Sequence, residues 1–245
     1  MMMKEKNAIE VKDIKLRYRC LRTFSIRQSL FSLKKSKRET VEALRGISFE
    51  VEKGEIVGVI GRNGSGKSTL LRAIAGIFSP DAGTIEISAP SVSLLSIGVG
   101  FQRHLTGREN VMLSGMLLGF QEQEILEKMD EIITFAEIGD FIDRPVKTYS
   151  SGMFAKLAFS ITAILETDIM LIDEILSVGD ARFKRKSYEK MKKLIFDRHR
   201  TVMIVSHNPD TVRKLCTRTL WLHQGRVMQY GETEEVLKAY EAYEK

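Results

Sequence analysis

Gly61-Arg62-Asn63-Gly64-Ser65-Gly66-Lys67-Ser68-Thr69 is the stretch on which the fold turns. Its spacing is G-x-x-x-x-G-K-[ST]. The apolar run Ile56-Val57-Gly58-Val59-Ile60 precedes it, and a helix-like segment beginning Leu70-Leu71 follows. Strand, loop and helix in that order are the setting in which such a loop cradles phosphates. Glycines let the backbone approach the phosphate oxygens, and successive amides plus the helix N-terminus supply positive potential. Lys67 is placed to reach the β- and γ-phosphates, and the Ser68 hydroxyl to complete a magnesium shell. The expectation is a nucleoside triphosphate site.

Outward from this loop the pattern is α/β. Asn7 to Tyr18 predicts a strand, with Ile9, Val11, Ile14 and Leu16 apolar and one slip in register. Val41 to Val51 and Glu55 to Ile60 predict two more, with Gly54 at the turn. After the loop's helix, Pro80-Asp81-Ala82-Gly83 breaks the chain, and Thr84 to Ser88 and Val92 to Ile97 read as short strands. From Gly107 to Ala158 the period becomes helical. Val111, Leu113, Met116 and Leu117 suit one apolar face, and Ile125, Met129, Ile132, Ile133 and Ala136 another. Residues 98–160 therefore read as a helical lobe inserted in the α/β core. Ile169 to Ile172 and Thr201 to Ser206 are buried-strand runs, Arg182 to Arg198 a charged helix, and Glu234 to Tyr243 a closing helix. Trp221-Leu222 and Arg226-Val227-Met228 flank a Gln224-Gly225 turn as a hairpin.

The chain has 245 residues, 43% hydrophobic and 29% charged, which suits one well-buried α/β domain. No apolar stretch approaches the roughly 20 residues that span a bilayer. Met1 to Glu10 lacks the apolar region of a secretory signal, and Cys20 and Cys216 have no metal-like spacing. These features predict a protein that stays inside the cell with reduced thiols. The net charge of +6 is concentrated: eight basic residues and no acidic one fall between Arg17 and Arg38, which leaves the remainder near −2. A polyanionic or membrane-surface neighbour is expected at that segment.

Ile169-Met170-Leu171-Ile172-Asp173-Glu174 is four apolar residues ending in two carboxylates. A buried strand that delivers Asp173 to a phosphate site suits water-mediated magnesium binding, and Glu174 is the candidate base for attacking water. Val205-Ser206-His207-Asn208 places a lone histidine at a strand end. By position alone His207 reads equally as a satisfied structural residue or as a γ-phosphate contact.

Tyr149-Ser150-Ser151-Gly152-Met153 separates the phosphate-loop classes. It resembles the signature of ABC-type ATPases, usually L-S-G-G-Q, in the form found in polysaccharide exporters. Thr106-Gly107-Arg108-Glu109-Asn110 and Asp173 through Asp180 resemble the same subfamily. The likeness runs from about residue 8 to 240, in the family's motif order. It implies one ABC ATPase domain over 1–245: a P-loop NTPase core with an antiparallel β subdomain and an inserted α-helical subdomain at about 98–160. Carried over by position, it implies that Tyr18 stacks on adenine and that Gly61, Asn63, Gly64, Ser65, Gly66, Lys67, Ser68 and Thr69 hold the phosphates of ATP. Ser150 and Gly152 then meet the γ-phosphate bound to the opposite subunit of a homodimer. Asp173 and Ser68 organise Mg2+, Glu174 activates water, Asp180 links the two sites, and His207 holds the γ-phosphate. One departure stands out. Where the family usually carries a glutamine, this chain has Ile97, and Gln102 has the wrong offset.

Between the first strand and Val41 the chain inserts about twenty residues, a basic insertion spanning about 19–40. Some polysaccharide-export ATPases are similar in this. Two readings stay open: a solvated basic loop, or a short helix near anionic head groups or a phosphorylated lipid-linked sugar. The resemblance implies a separate integral-membrane permease that docks on the helical lobe. It also implies a peripheral position on the cytoplasmic face of the cell membrane and export of a lipid-linked polysaccharide or teichoic acid. No carbohydrate-binding domain is expected before Lys245. The alternatives are the ATPase subunit of another ABC importer or exporter, and a soluble ABC ATPase acting on nucleic acid; no nucleic-acid partner is expected. The Asp-x-x-Gly and Asn-Lys-x-Asp elements of a GTPase-like switch do not occur.

Overall fold

The structure, a computed structural model, describes residues 7–20, 39–95, 100–173 and 180–244. The first alternating stretch forms β1 (Asn7–Cys20), which pairs antiparallel with β2 (Glu39–Glu52) along its whole length. The slip in its pattern is a bulge between Val11 and Ile14. There Asp13 takes φ +45° and its amide donates to Ser48 Oγ at 2.8 Å. The extra residue restores the alternation, so Ile9, Val11, Ile14 and Leu16 are all buried. β1 and β2 run further than the pattern suggested, to the Cys20–Glu39 pair. The basic residues from Arg22 to Arg38 lie outside the described residues, and with them both readings of the insertion.

β3 (Ile56–Ile60) leads into the glycine-rich loop and α1 (Lys67–Ile74); β4 (Ala82–Ile87) then joins β1 on the side away from β2. β5 (Val92–Leu95), β6 (Ile169–Asp173), β7 (Thr201–Val205), β8 (Arg218–His223) and β9 (Arg226–Glu232) complete a second sheet of order β5-β6-β7-β3-β8-β9. All its pairings are parallel except β8–β9. β6 and β7 read as continuous apolar runs because both faces are covered. Alternate residues serve opposite cores. Leu171, Met203 and Val205 join the core shared with β1, β2 and α1, whereas Met170, Ile172, Val202 and Ile204 pack on the far face. That far face is covered by α5 (Ala181–Ile195), through Phe183, Met191 and Leu194, and by α7 (Thr233–Glu244), through Val236 and Leu237.

Between β5 and β6 the chain builds a lobe with its own core. It comprises α2 (Gly107–Leu117), α3 (Glu122–Ala136) and α4 (Ser151–Ile164). α3 buries Ile125, Met129, Ile132 and Ala136, as its period predicts. α2 departs from expectation: Met116 and Leu117 are more than half exposed, and its buried residues are Gly107, Asn110, Val111, Ser114 and Gly115. The reason is close packing. A Cβ at Gly115 would sit 2.6 Å from Ile125 Cδ1 and 3.1 Å from Leu165 Cδ1, so at Gly115 α2 presents backbone to the lobe core, while Val111 adds its side chain. The exposed Leu117 lines, with Ile77, Leu94, Phe101, Ala158 and Ile161, a groove of about 210 Å3 between lobe and sheet. Among the described residues, no helix is long and apolar enough to cross a membrane.

Candidate functional site

The carboxyl ends of three neighbouring parallel strands converge. In register, Asp173 ends β6 beside Val205 of β7, and Val205 lies beside Val59 of β3. Gly61 and His207 each follow that row by two positions, so the loop, Asp173 and His207 emerge at one edge, where open α/β sheets bind ligands.

The loop's shape is enforced. Gly61, Gly64 and Gly66 have φ of +143°, +79° and +105°. A Cβ on Gly61 would collide with the Leu222 carbonyl, and one on Gly66 would lie 2.8 Å from the Ala43 carbonyl. A Cβ on Gly64 would meet nothing within 4 Å, so that residue borders open space. Lys67 Nζ donates to the carbonyls of Gly61 at 2.6 Å and Arg62 at 3.0 Å, which holds its ammonium over the loop. Asn63 lies exposed on the rim of the loop. Ser65 Oγ is buried without a hydrogen-bond partner, an uncommon state for a buried hydroxyl and one that a phosphate oxygen relieves.

Ser68 Oγ donates to Asp173 Oδ1 at 3.1 Å across 105 positions of sequence. The two residues expected to share a magnesium shell are thus in contact, and their hard oxygens suit that ion. Among the described residues no group of three or more His, Cys, Asp or Glu side chains could hold a metal. An ion held by Ser68 and Asp173 would take most of its shell from water and phosphate, as Mg2+ characteristically does. Tyr18 is half-buried beside the loop's helix. Its hydroxyl lies 3.0 Å from Thr69 Oγ1, and its ring meets Phe78 edge-on at 5.8 Å. His207 is exposed between β7 and α6 (Pro209–Leu215), whose N-cap Asn208 accepts from the Asp210 amide at 2.9 Å. Glu174 and Ile97 lie outside the described residues. Gln102 is exposed, and its backbone is bonded to Asn110.

The signature segment is a helix start, as its residue types require. Ser150 caps α4 by accepting from the Met153 amide at 3.2 Å, which leaves the amides of Ser151 and Gly152 without intrahelical partners. Such an end favours an anion. Tyr149 anchors it: its hydroxyl donates to the Phe141 carbonyl at 2.7 Å, and burial beside Asp143 pushes the phenol up to about 12. Among the described residues no hydrogen bond or ion pair joins Ser150–Met153 to the 61–69 loop, so the structure does not bring these two predicted halves together within one chain.

Sequence reasoning missed three contacts. Asp180 caps α5 by accepting from the Phe183 amide at 3.0 Å, and it also accepts from Lys156 Nζ of α4 at 2.6 Å. The lysine first, and the cap second, hold the Asp180 carboxyl down at about 2. Buried Asn110 accepts from the Gln102 amide and donates to the carbonyls of Gln102, Leu105 and Thr106, which fixes the turn before α2. Arg62 pairs with Glu244 of α7 through both carboxylate oxygens. The Asn in Thr106–Asn110 was visible as a motif, but nothing local marks Lys156 or Glu244 as partners.

Comparison with known proteins agrees with this layout. The ABC transporter family matches residues 44–177. A teichoic acids export ATP-binding protein, TagH, of Enterococcus faecalis is 45% identical over 95% of this chain and 53% of its own length. An O-antigen export system ATP-binding protein, RfbB, of Klebsiella pneumoniae is 43% identical over 81% of this chain and 80% of its own. The chain spans about half or less of the length of the TagH relatives it matches, from 53% down to 37%. In fold it is similar to the ATP-binding cassette MJ0796, solved as a dimer with ADP and Pi. The TM-score is 0.68 at 21% identity, over 92% of this chain and 98% of that one. With the family match covering more than half of the chain and relatives at 43–45% identity along most of it, the chain belongs to the ABC transporter family.

Proposed function

We propose that this chain is the ATP-hydrolysing subunit of an exporter of lipid-linked polysaccharide or teichoic acid, working as a homodimer on a separate integral-membrane permease. The observation that carries the ATPase reading is the Ser68–Asp173 contact beside a loop that holds Lys67 and the orphaned Ser65 hydroxyl. The export reading draws support from relatives named for teichoic acid and O-antigen export at 43–45% identity.

In this reading the 61–69 backbone and Lys67 bind the triphosphate, and Tyr18 packs against adenine. Ser68 and Asp173 would hold Mg2+, which when bound would neutralise charge on the phosphates. Glu174 takes the proton of the attacking water, and His207 orients the γ-phosphate. Ser150 and Gly152, at the start of α4, serve the nucleotide of the second copy, which explains why they stand apart from their own loop. Loss of the γ-phosphate removes the contacts that close the dimer. The groove beside Leu117 receives a helix of the permease on the cytoplasmic face of the membrane.

The test is a disulfide pair, Ser150→Cys in one copy and Asn63→Cys in another, in the Glu174→Gln background with Cys20 and Cys216 removed. Crosslinking that needs ATP and Mg2+ supports the arrangement, whereas none under any nucleotide condition refutes it. Glu174→Gln itself should bind ATP, remain dimeric and hydrolyse slowly; undiminished turnover rules Glu174 out as the base.

A further inference from the structure

α7 reaches back across 182 positions of sequence to the phosphate loop. Glu244, its last residue, accepts from Arg62 Nε at 2.8 Å and 3.0 Å through its two oxygens. The pair sits at the surface edge, but the helix that delivers it is firmly seated. Val236 and Leu237 are buried, and Tyr240 and Tyr243 meet Trp221 at centroid distances of 5.6 Å and 5.3 Å. Tyr243 also packs on the His223 ring at 5.3 Å, with its hydroxyl 3.3 Å from Nε2. Trp221 pairs in register with Ile60, the residue just before Gly61, so this aromatic cluster adjoins the root of the loop.

From Arg62 the connection continues inward. Its carbonyl accepts from Lys67 Nζ at 3.0 Å and from the Ser65 amide at 3.1 Å. One residue thus engages α7 by its side chain and the loop's lysine by its backbone. Resting on the reading of 61–69 as the phosphate site of ATP, we infer that the last turn of α7 is a positioning element for that loop. Glu244 fixes Arg62, Arg62 fixes the carbonyl beneath Lys67, and ATP affinity depends on α7 being docked. A loop with three glycines at positive φ has few side chains of its own to hold it. An outside anchor lowers the ordering cost at binding. Glu244 acts on the loop's shape, so the chemical step is unaffected.

The experiment uses the full chain with Glu244→Gln, Glu244→Asp and Tyr243→Ala. Trinitrophenyl-ATP titrations give Kd, steady-state hydrolysis gives kcat, and emission of Trp221, the single tryptophan of the chain, reports on α7. For Glu244→Gln and Tyr243→Ala, Kd should rise about two- to fivefold, the scale expected of an exposed pair. kcat at saturating ATP should stay near that of the parent protein. Glu244→Asp should fall between parent and Glu244→Gln, and the change in Trp221 emission on adding ATP should shrink in Glu244→Gln. An unchanged Kd in a folded Glu244→Gln overturns the inference. So does a tighter Kd, which would mean that Glu244 only neutralises Arg62, and so does a fall in kcat alone. Failure of the parent protein to bind the probe instead refutes the nucleotide reading beneath it.

Discussion

Lys156 and Asp180 show how much a single pair can carry at this site. The Asp180 carboxyl is held at about 2 by the Lys156 ammonium first and the Phe183 amide second, against an ordinary value of 3.8. A lowered pKa contributes stability that is present above the unfolded value and lost as pH falls through the folded one. The contribution of this cap should therefore be complete above about pH 3.8 and fade as the pH falls toward 2. Carboxyl NMR should place the Asp180 midpoint near 2. In Lys156→Met it should rise, yet stop short of the ordinary value because the Phe183 amide remains; no movement would sever the link. Gly66 and Gly64 offer a second comparison at this scale. Both hold positive φ, but only Gly66 has a carbonyl 2.8 Å from a would-be Cβ. Gly64→Ala should cost about 1–2 kcal/mol of left-handed strain, and Gly66→Ala distinctly more, as read from urea unfolding midpoints.

At the scale of elements, what is legible in sequence is what repeats or punctuates locally. β6 and β7 declare themselves as apolar runs, α3 by its stripe, and the loop by three glycines and a lysine. The slip after Val11 is visible as a broken alternation before Asp13 is known to bulge. α2 misled because, beside Val111, its buried face carries Asn110, which serves hydrogen bonding, and Gly115, which serves close approach, and neither is apolar. Periodicity cannot register that. Strand order is equally hidden, because β3 lies between β7 and β8 through pairings far apart in the chain. Ser68–Asp173 could be anticipated from motif chemistry, whereas Arg62–Glu244 could not. Asn110 yields the prediction belonging here. Asn110→Ala strips partners from an amide and carbonyls in the turn 102–106 and should destabilise the protein by about 2–3 kcal/mol. Thr106→Ala, which removes one half of the capping box with Glu109, should cost about 1 kcal/mol. Chemical denaturation of both variants checks the ranking.

The whole molecule sets a two-sheet core against a helical lobe along a groove, and the groove is apolar where exposed side chains are usually polar. Leu117, which lines it, is 62% exposed. Leu117→Glu should leave the ATPase rate of the purified chain near normal but abolish co-purification with a permease. Retention of the complex would move the docking site elsewhere.

One further consequence follows from where the lobe sits. β5 and β6, which bracket it, are paired neighbours, so the polypeptide leaves the sheet and re-enters it at adjacent strands. An insert anchored in that manner can be exchanged with little disturbance to its host. A chimaera bearing the lobe of a related ATPase should keep the nucleotide loop of this chain intact and, under the proposed function, take on the docking preference of the donor.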